Sequence, residues 1–151
     1  MSMNPDTHLG FLVSSVARLM REHFNASAQA AGFTLAQARA LVQLSRNEGI
    51  SQVALAGLLE IQPITLLRQI DRLCEAGVVE RRRNPADRRA QQLYLTDKAE
   101  PFLSQIWALG DEISDRALQG LSADARAELI RVLQRVKQNL SVDRDDAAGV
   151  G

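Results

Sequence analysis

The sequence predicts a mainly α-helical chain, six helices with one small β wing, and three observations carry that expectation. Apolar residues recur at three- and four-residue spacing through most of the 151 residues. The pattern turns strand-like once, at Val78–Arg83 and again at Gln92–Leu95, around a polar tip of turn residues, Asn84-Pro85-Ala86-Asp87-Arg88-Arg89. Immediately before this hairpin, two short helical segments are joined by only Glu60, Ile61 and Gln62. Two short helices with a tight link are common by themselves; the arginine-tipped hairpin directly after them makes a winged helix-turn-helix the expected fold.

Each element has a local reason. Residues 1–7 read as a loose lead-in. From about His8 to Ala30 a helix carries Leu9, Leu12, Val16, Leu19, Met20 and Phe24 on one stripe, and Gly32 ends it. Thr34 with Gln37 three residues later makes a capping box for a second helix that runs to about Arg46. Asn47-Glu48-Gly49 is a turn, and Ser51 caps a third helix bearing Val53, Leu55, Leu58 and Leu59. Pro63 suits the first turn of the fourth helix, where its missing N–H has no acceptor to lose. Leu67, Ile70 and Leu73 form its inner stripe, Gly77 its left-handed exit, and Thr65, Arg68, Gln69 and Arg72 point elsewhere. After the wing, Thr96 caps a helix from Asp97 to about Gln119, with Phe102, Ile106, Leu109, Ile113 and Ala117 in its stripe and a slight bend expected at Pro101. Gly120 breaks it, and Ser122 caps a last helix carrying Leu129, Val132, Leu133, Val136 and Leu140. Residues 141–151 read as a flexible acidic tail. The expected domain thus spans 8–140, with a central lobe at about 34–95 and long helices at about 8–31 and 97–140.

Composition narrows the function. At 46% hydrophobic and 24% charged, this is an ordinary globular chain. A 4% aromatic content leaves little surface for stacking single-stranded bases. Formal net charge is zero, but it is unevenly placed: between Arg68 and Arg89 seven arginines face four acids, whereas Asp143, Asp145 and Asp146 outnumber Arg144 in the tail. Charge focused on one helix and one hairpin is the footprint of a polyanion-binding surface. The single cysteine, Cys74, rules out an internal disulfide and fits a reducing compartment. With no membrane-length apolar run and no signal-peptide pattern, the expected location is the cytoplasm. Two histidines and one cysteine do not make a dedicated soft metal site, so neither metal nor cofactor is expected. No nucleophile–base pair or phosphate loop is readable, which sets an enzyme aside.

The long terminal stripes exceed what a small winged helix needs for its own core, a helix of 23 residues being about 34 Å long. They fit either a self-contained bundle or, preferably, helices shared between two copies. A two-fold pair would present two recognition helices to half-sites about 34–36 Å apart.

Leu55-Ala56, Ile61 to Leu73, Glu75-Ala76-Gly77-Val78-Val79, Asp87-Arg88-Arg89, Leu95-Thr96 and Lys98-Ala99-Glu100-Pro101 together resemble the MarR family of transcriptional regulators, most of all its SlyA-like branch. The resemblance covers roughly residues 8–140. It implies a homodimer that binds palindromic duplex DNA, with the recognition helix in the major groove and the wing tip in the flanking minor groove. Carried onto this chain, Thr65, Arg68 and Gln69 face the major groove, Arg89 enters the minor groove, Asp87 orients it, and Arg88 meets a phosphate or a neighbouring acid. Glu60 departs from the pattern, since relatives often have glycine there. Chemistry supports the transfer independently. Arginine can donate twice to guanine, glutamine can pair adenine through both amide atoms, and a narrow A·T minor groove attracts an inserted arginine. Arg72 is expected among the DNA contacts, and one or two of Arg81, Arg82 and Arg83, with Arg82 preferred, on phosphates.

The resemblance also implies a small-molecule pocket for an aromatic carboxylate or phenolic effector between the dimerisation helices and the central lobe. Arg18, Arg21, Thr34, Arg39 and Trp107 are its candidates, against the alternative of surface or salt-bridged arginines and a tryptophan that fills the core or a dimer contact. Cys74 reads as a structural thiol rather than a redox switch, because sensor thiols in the family sit in the N-terminal helix. The expected function is a DNA-binding repressor or anti-silencing activator, with a protein-interaction adaptor on the same fold as the alternative.

Overall fold

Helix ends in this chain are set by residues that satisfy the unpaired backbone groups of the first and last turns. The computed structural model describes residues 4–148, with side chains as far as Ser141. A short 3-10 turn at Pro5–Thr7 precedes α1 (Leu9–Ala31), where the sequence suggested only a loose lead-in. Gly32, at φ +86°, closes α1 by donating to the carbonyls of Ala28 and Gln29. The capping box forms as expected: Thr34 Oγ1 accepts from Gln37 N, and Gln37 Oε1 accepts from Thr34 N, opening α2 (Leu35–Arg46). Ser51 Oγ accepts from Ala54 N to start α3 (Gln52–Leu59). Pro63 is the first residue of α4 (Pro63–Glu75).

The wing is β1 (Val79–Arg83) paired antiparallel with β2 (Gln91–Leu95), in the register Val79 with Leu95 and Arg83 with Gln91. A third partner was not visible in the sequence. Leu93 exchanges backbone bonds with the turn before α3, Gly49 N donating to Leu93 O (2.8 Å) and Leu93 N donating to Ile50 O (2.9 Å). Ser51 then bridges Gln92, so the hairpin root is tied to the helix-turn-helix. Thr96 Oγ1 donates to Gly77 O and accepts from Lys98 N, joining the foot of the wing to the start of α5 (Ala99–Ala117).

Apolar burial holds this together. Leu41, Leu44, Leu55, Leu66, Ile70, Val78 and Leu93 are fully enclosed, each worth about 1.5–3 kcal/mol of transfer free energy. The inner stripe of α4 is Leu66, Ile70 and Leu73; the expected Leu67 is only half-buried. Phe24, Phe102, Leu103 and Leu109 pack partly against the same core.

Two compact units divide at Ile113–Ser114. The second contains α6 (Ala123–Ala148), capped by Ser122 Oγ accepting from Ala125 N. Arg126 also pairs with Asp115 there (3.0 Å). Helix α6 continues past Leu140, where the tail was expected to begin, and 149–151 lie outside the described residues. Among the described residues no single helix is long and apolar enough to cross a membrane.

Candidate nucleic-acid interface

Burying Leu66, Ile70 and Leu73 turns the opposite face of α4 outward. Ile64, Thr65, Arg68, Gln69 and Arg72 line a shallow cleft of about 310 Å³ on that face. Thr65, Arg68 and Arg72 are exposed and Gln69 is half-buried. The four polar residues singled out from the sequence are therefore brought together. Ile64, 62% exposed beside them, was not singled out; an apolar side chain at the start of a recognition helix was the available signal.

The turn between α3 and α4 explains the expected glycine. Glu60 is the one non-glycine residue with positive φ among those described, at +55°. An L-residue there carries a steric cost of roughly 1–2 kcal/mol that glycine avoids. Glutamate nonetheless adopts the same left-handed cap, and the helix-turn-helix forms around it.

The three wing arginines separate as strand alternation requires. Arg81 points to α4 and pairs with Asp71 Oδ1 at 2.6 Å, with Gln52 Oε1 at 3.4 Å. This brace fixes the wing against α3 and α4. Arg82, on the other face, pairs with Glu80 and lies over the Tyr94 ring, 4.1 Å from its centroid. The preferred phosphate residue is thus already neutralised and stacked. Arg83 shares the face of Arg81, is exposed, and makes no ion pair among the described residues. It fits a free phosphate contact better than Arg82.

At the tip, Asn84 Oδ1 accepts from Ala86 N and Asp87 Oδ1 accepts from Arg89 N (3.0 Å). Asp87 thus orients Arg89 through its backbone, leaving the guanidinium free. Arg88 and Arg89 are both exposed. A second cleft, about 620 Å³, runs between α3, α4 and the wing, past Asp71, Arg81, Asp87 and Arg89. Five arginines, Arg68, Arg72, Arg83, Arg88 and Arg89, remain unpaired among the described residues.

Gln69 lines the cleft with its Oε1 buried and without a hydrogen-bond partner.

Cys74 is half-buried on α4 and its thiol is pushed above the ordinary range, chiefly by burial; nearby Arg81 opposes this and Asp71 adds to it. That direction suits an inert structural thiol.

The five effector candidates are not gathered by either cleft. Arg18 pairs with Glu22 one turn on (2.9 Å), and Thr34 is committed to its capping box. Arg39 donates to Leu59 O at the end of α3 (3.3 Å). Arg21 is exposed, as is Trp107 at 57%, so the core alternative for the tryptophan does not hold within one chain.

Comparison with known proteins points to one family. Residues 33–90, the helix-turn-helix and most of the wing, match the model of the MarR family. A crystal structure of MarR superimposes with a TM-score of 0.85 at 25% identity, covering 97% of this chain and 99% of the other. Over the helix-turn-helix and most of the wing, the chain is similar to the MarR family of transcriptional regulators. Members of that family are transcriptional regulators, not enzymes. The transcriptional regulator SlyA aligns at a TM-score of 0.75 and 27% identity, over 93% and 99% of the two chains. A mutant MarR from E. coli, complexed with operator DNA, aligns at 0.69 and 29%, over 85% and 92%.

Proposed function

We propose that this protein is a MarR-family regulator, a homodimer that binds a pseudo-palindromic duplex operator, α4 in the major groove and the wing tip in the neighbouring minor groove. The observation that carries the proposal is the set of five unpaired arginines on the outer face of α4 and on one hairpin, braced into a fixed relation by Arg81, Asp71 and Gln52. The operator complex of a related MarR supports it. Arg68 is assigned to a guanine edge, Arg72, Arg83 and Arg88 to phosphates, and Arg89 to a narrow minor groove.

Two-fold pairing is supported by apolar side chains left uncovered within one chain. Leu9, Phe11, Leu12, Val13, Val16 and Leu19 on α1 are 45–58% exposed, and α6 leaves Ile130, Val132, Leu133 and Leu140 at 41–67%. Single exposed leucines are ordinary; a continuous stripe marks an interface. We assign these helices to the dimer contact and the protein to the cytoplasm. A place in the SlyA-like branch and an aromatic carboxylate or phenolic effector belong to the same proposal. Such an effector would act by preferring a dimer with mis-spaced recognition helices, typically worth about 1–3 kcal/mol of coupling.

Selection from random duplexes tests the reading. A two-fold symmetric motif is expected, with affinity falling linearly in log salt as counterions are released. Recovery of no motif by a folded protein would overturn it, and would favour the adaptor.

A further inference from the structure

We propose that Ile64, on the first turn of α4, reads the methyl group of a thymine close to the base that Arg68 contacts, which makes binding sensitive to a single methyl in the major groove. The proposal rests on the duplex-binding reading above and adds a base-specifying contact to it.

The position comes from the helix. Pro63 opens α4, so Ile64 stands in its first turn, the part of a recognition helix that reaches base edges. Ile64, Arg68 and Arg72 follow at four-residue intervals and form one row along the outer face. All three line the same cleft, opposite the buried Leu66, Ile70 and Leu73. A duplex that meets Arg68 therefore meets Ile64. A lone exposed isoleucine is ordinary on a protein surface, but this one shares its row with two arginines that have no ion pair among the described residues.

The chemistry comes from the side chain. Ile64 is the one hydrocarbon side chain lining the cleft and is 62% exposed, so the core makes little use of it. It has no donor or acceptor for a phosphate, an amino group or a keto oxygen. The apolar feature that base edges offer in the major groove is the methyl at C5 of thymine. Branching at Cβ holds isoleucine in essentially one χ1 rotamer on a helix, so little side-chain freedom is lost on contact. Side chains one turn apart are about 5–6 Å from each other at Cβ. With successive nucleotides about 3.4 Å apart along the duplex, the thymine belongs within about two base pairs of the guanine assigned to Arg68.

The test uses the full-length protein and the duplex it selects. Each thymine is replaced in turn by deoxyuridine, which deletes the methyl and keeps every hydrogen-bonding group of the base edge, and affinity is read by fluorescence anisotropy. At one thymine per half-site the wild type should lose on the order of threefold to fourfold. In Ile64→Ala that position should bind thymine and uracil equally, with the other positions unchanged and native circular dichroism. Wild-type binding indifferent to uracil at every position would overturn the inference while leaving the operator reading intact. So would a loss that persists undiminished in Ile64→Ala, since the methyl would then act through another residue or through the duplex itself. If Ile64→Ala does not fold, Ile64→Ser takes its place, and an undiminished loss there overturns the inference in the same way. Failure of the wild type to select any motif would instead remove the reading on which this rests.

Discussion

Helices α1 and α4 are both amphipathic, yet they satisfy their apolar faces differently. In α4, Leu66 and Ile70 are fully enclosed by neighbouring elements of the same chain, leaving a polar outer face. In α1, Leu9, Leu12, Val16 and Leu19 remain about half exposed, and only Ala28 near its end is buried. The central lobe is thus complete in one copy, whereas the stripe of α1 stays uncovered, as the proposed dimer contact requires. On that proposal a rigid lobe reads DNA, and the unfinished helices set the spacing of two such lobes.

The contrast can be broken at its strongest point first. Leu66→Ala should destabilise the protein by about 2–5 kcal/mol, through lost burial and a residual cavity, measured by urea denaturation. A loss under about 1 kcal/mol would mean that the core of the lobe is not where it is placed. Leu12→Glu should leave the lobe folded, with native-like circular dichroism, and shift the sedimenting mass toward the monomer. An unchanged dimer would remove α1 from the interface.

Smaller effects sharpen the division between the two elements assigned to DNA. Arg68→Ala should cost about 1–3 kcal/mol on the preferred duplex and relax preference at one position per half-site. Arg89→Ala should weaken binding most at A·T-rich flanks and make the salt dependence shallower, by roughly one in log–log slope for each phosphate charge it no longer neutralises. Equal, small effects of both on every duplex would contradict the assignment. The smallest effect concerns Cys74. With its thiol pushed upward by burial, it should alkylate more slowly at neutral pH than an unstructured cysteine. Faster reaction would mark it as activated.

Legibility in the sequence followed the range of the interaction. Caps were readable because they act over three or four residues: Thr34 with Gln37, Ser51, Pro63, Gly32 and Gly77 all stand where local chemistry requires. The tandem Leu66-Leu67 was ambiguous, since adjacent residues differ by only about 100° around a helix and periodicity cannot choose between them. Long-range partners were invisible. Nothing local links Asp71 to Arg81, Glu80 with Tyr94 to Arg82, or Ser51 to Gln92. Alternation along β1 did show that its three arginines divide between faces, but not which face meets α4. For Gln69, residue type suggested adenine; the burial of its Oε1 was not visible in the sequence.

The most direct test of paired lobes at fixed spacing is a change in the DNA rather than in the protein. Inserting about five base pairs between the two selected half-sites rotates one of them by roughly half a helical turn. Affinity is expected to fall to that of an isolated half-site, while an insertion of about ten base pairs disrupts spacing without reversing the face. Equal binding to the original and the five-base-pair duplex would contradict a two-fold dimer that engages both half-sites at once.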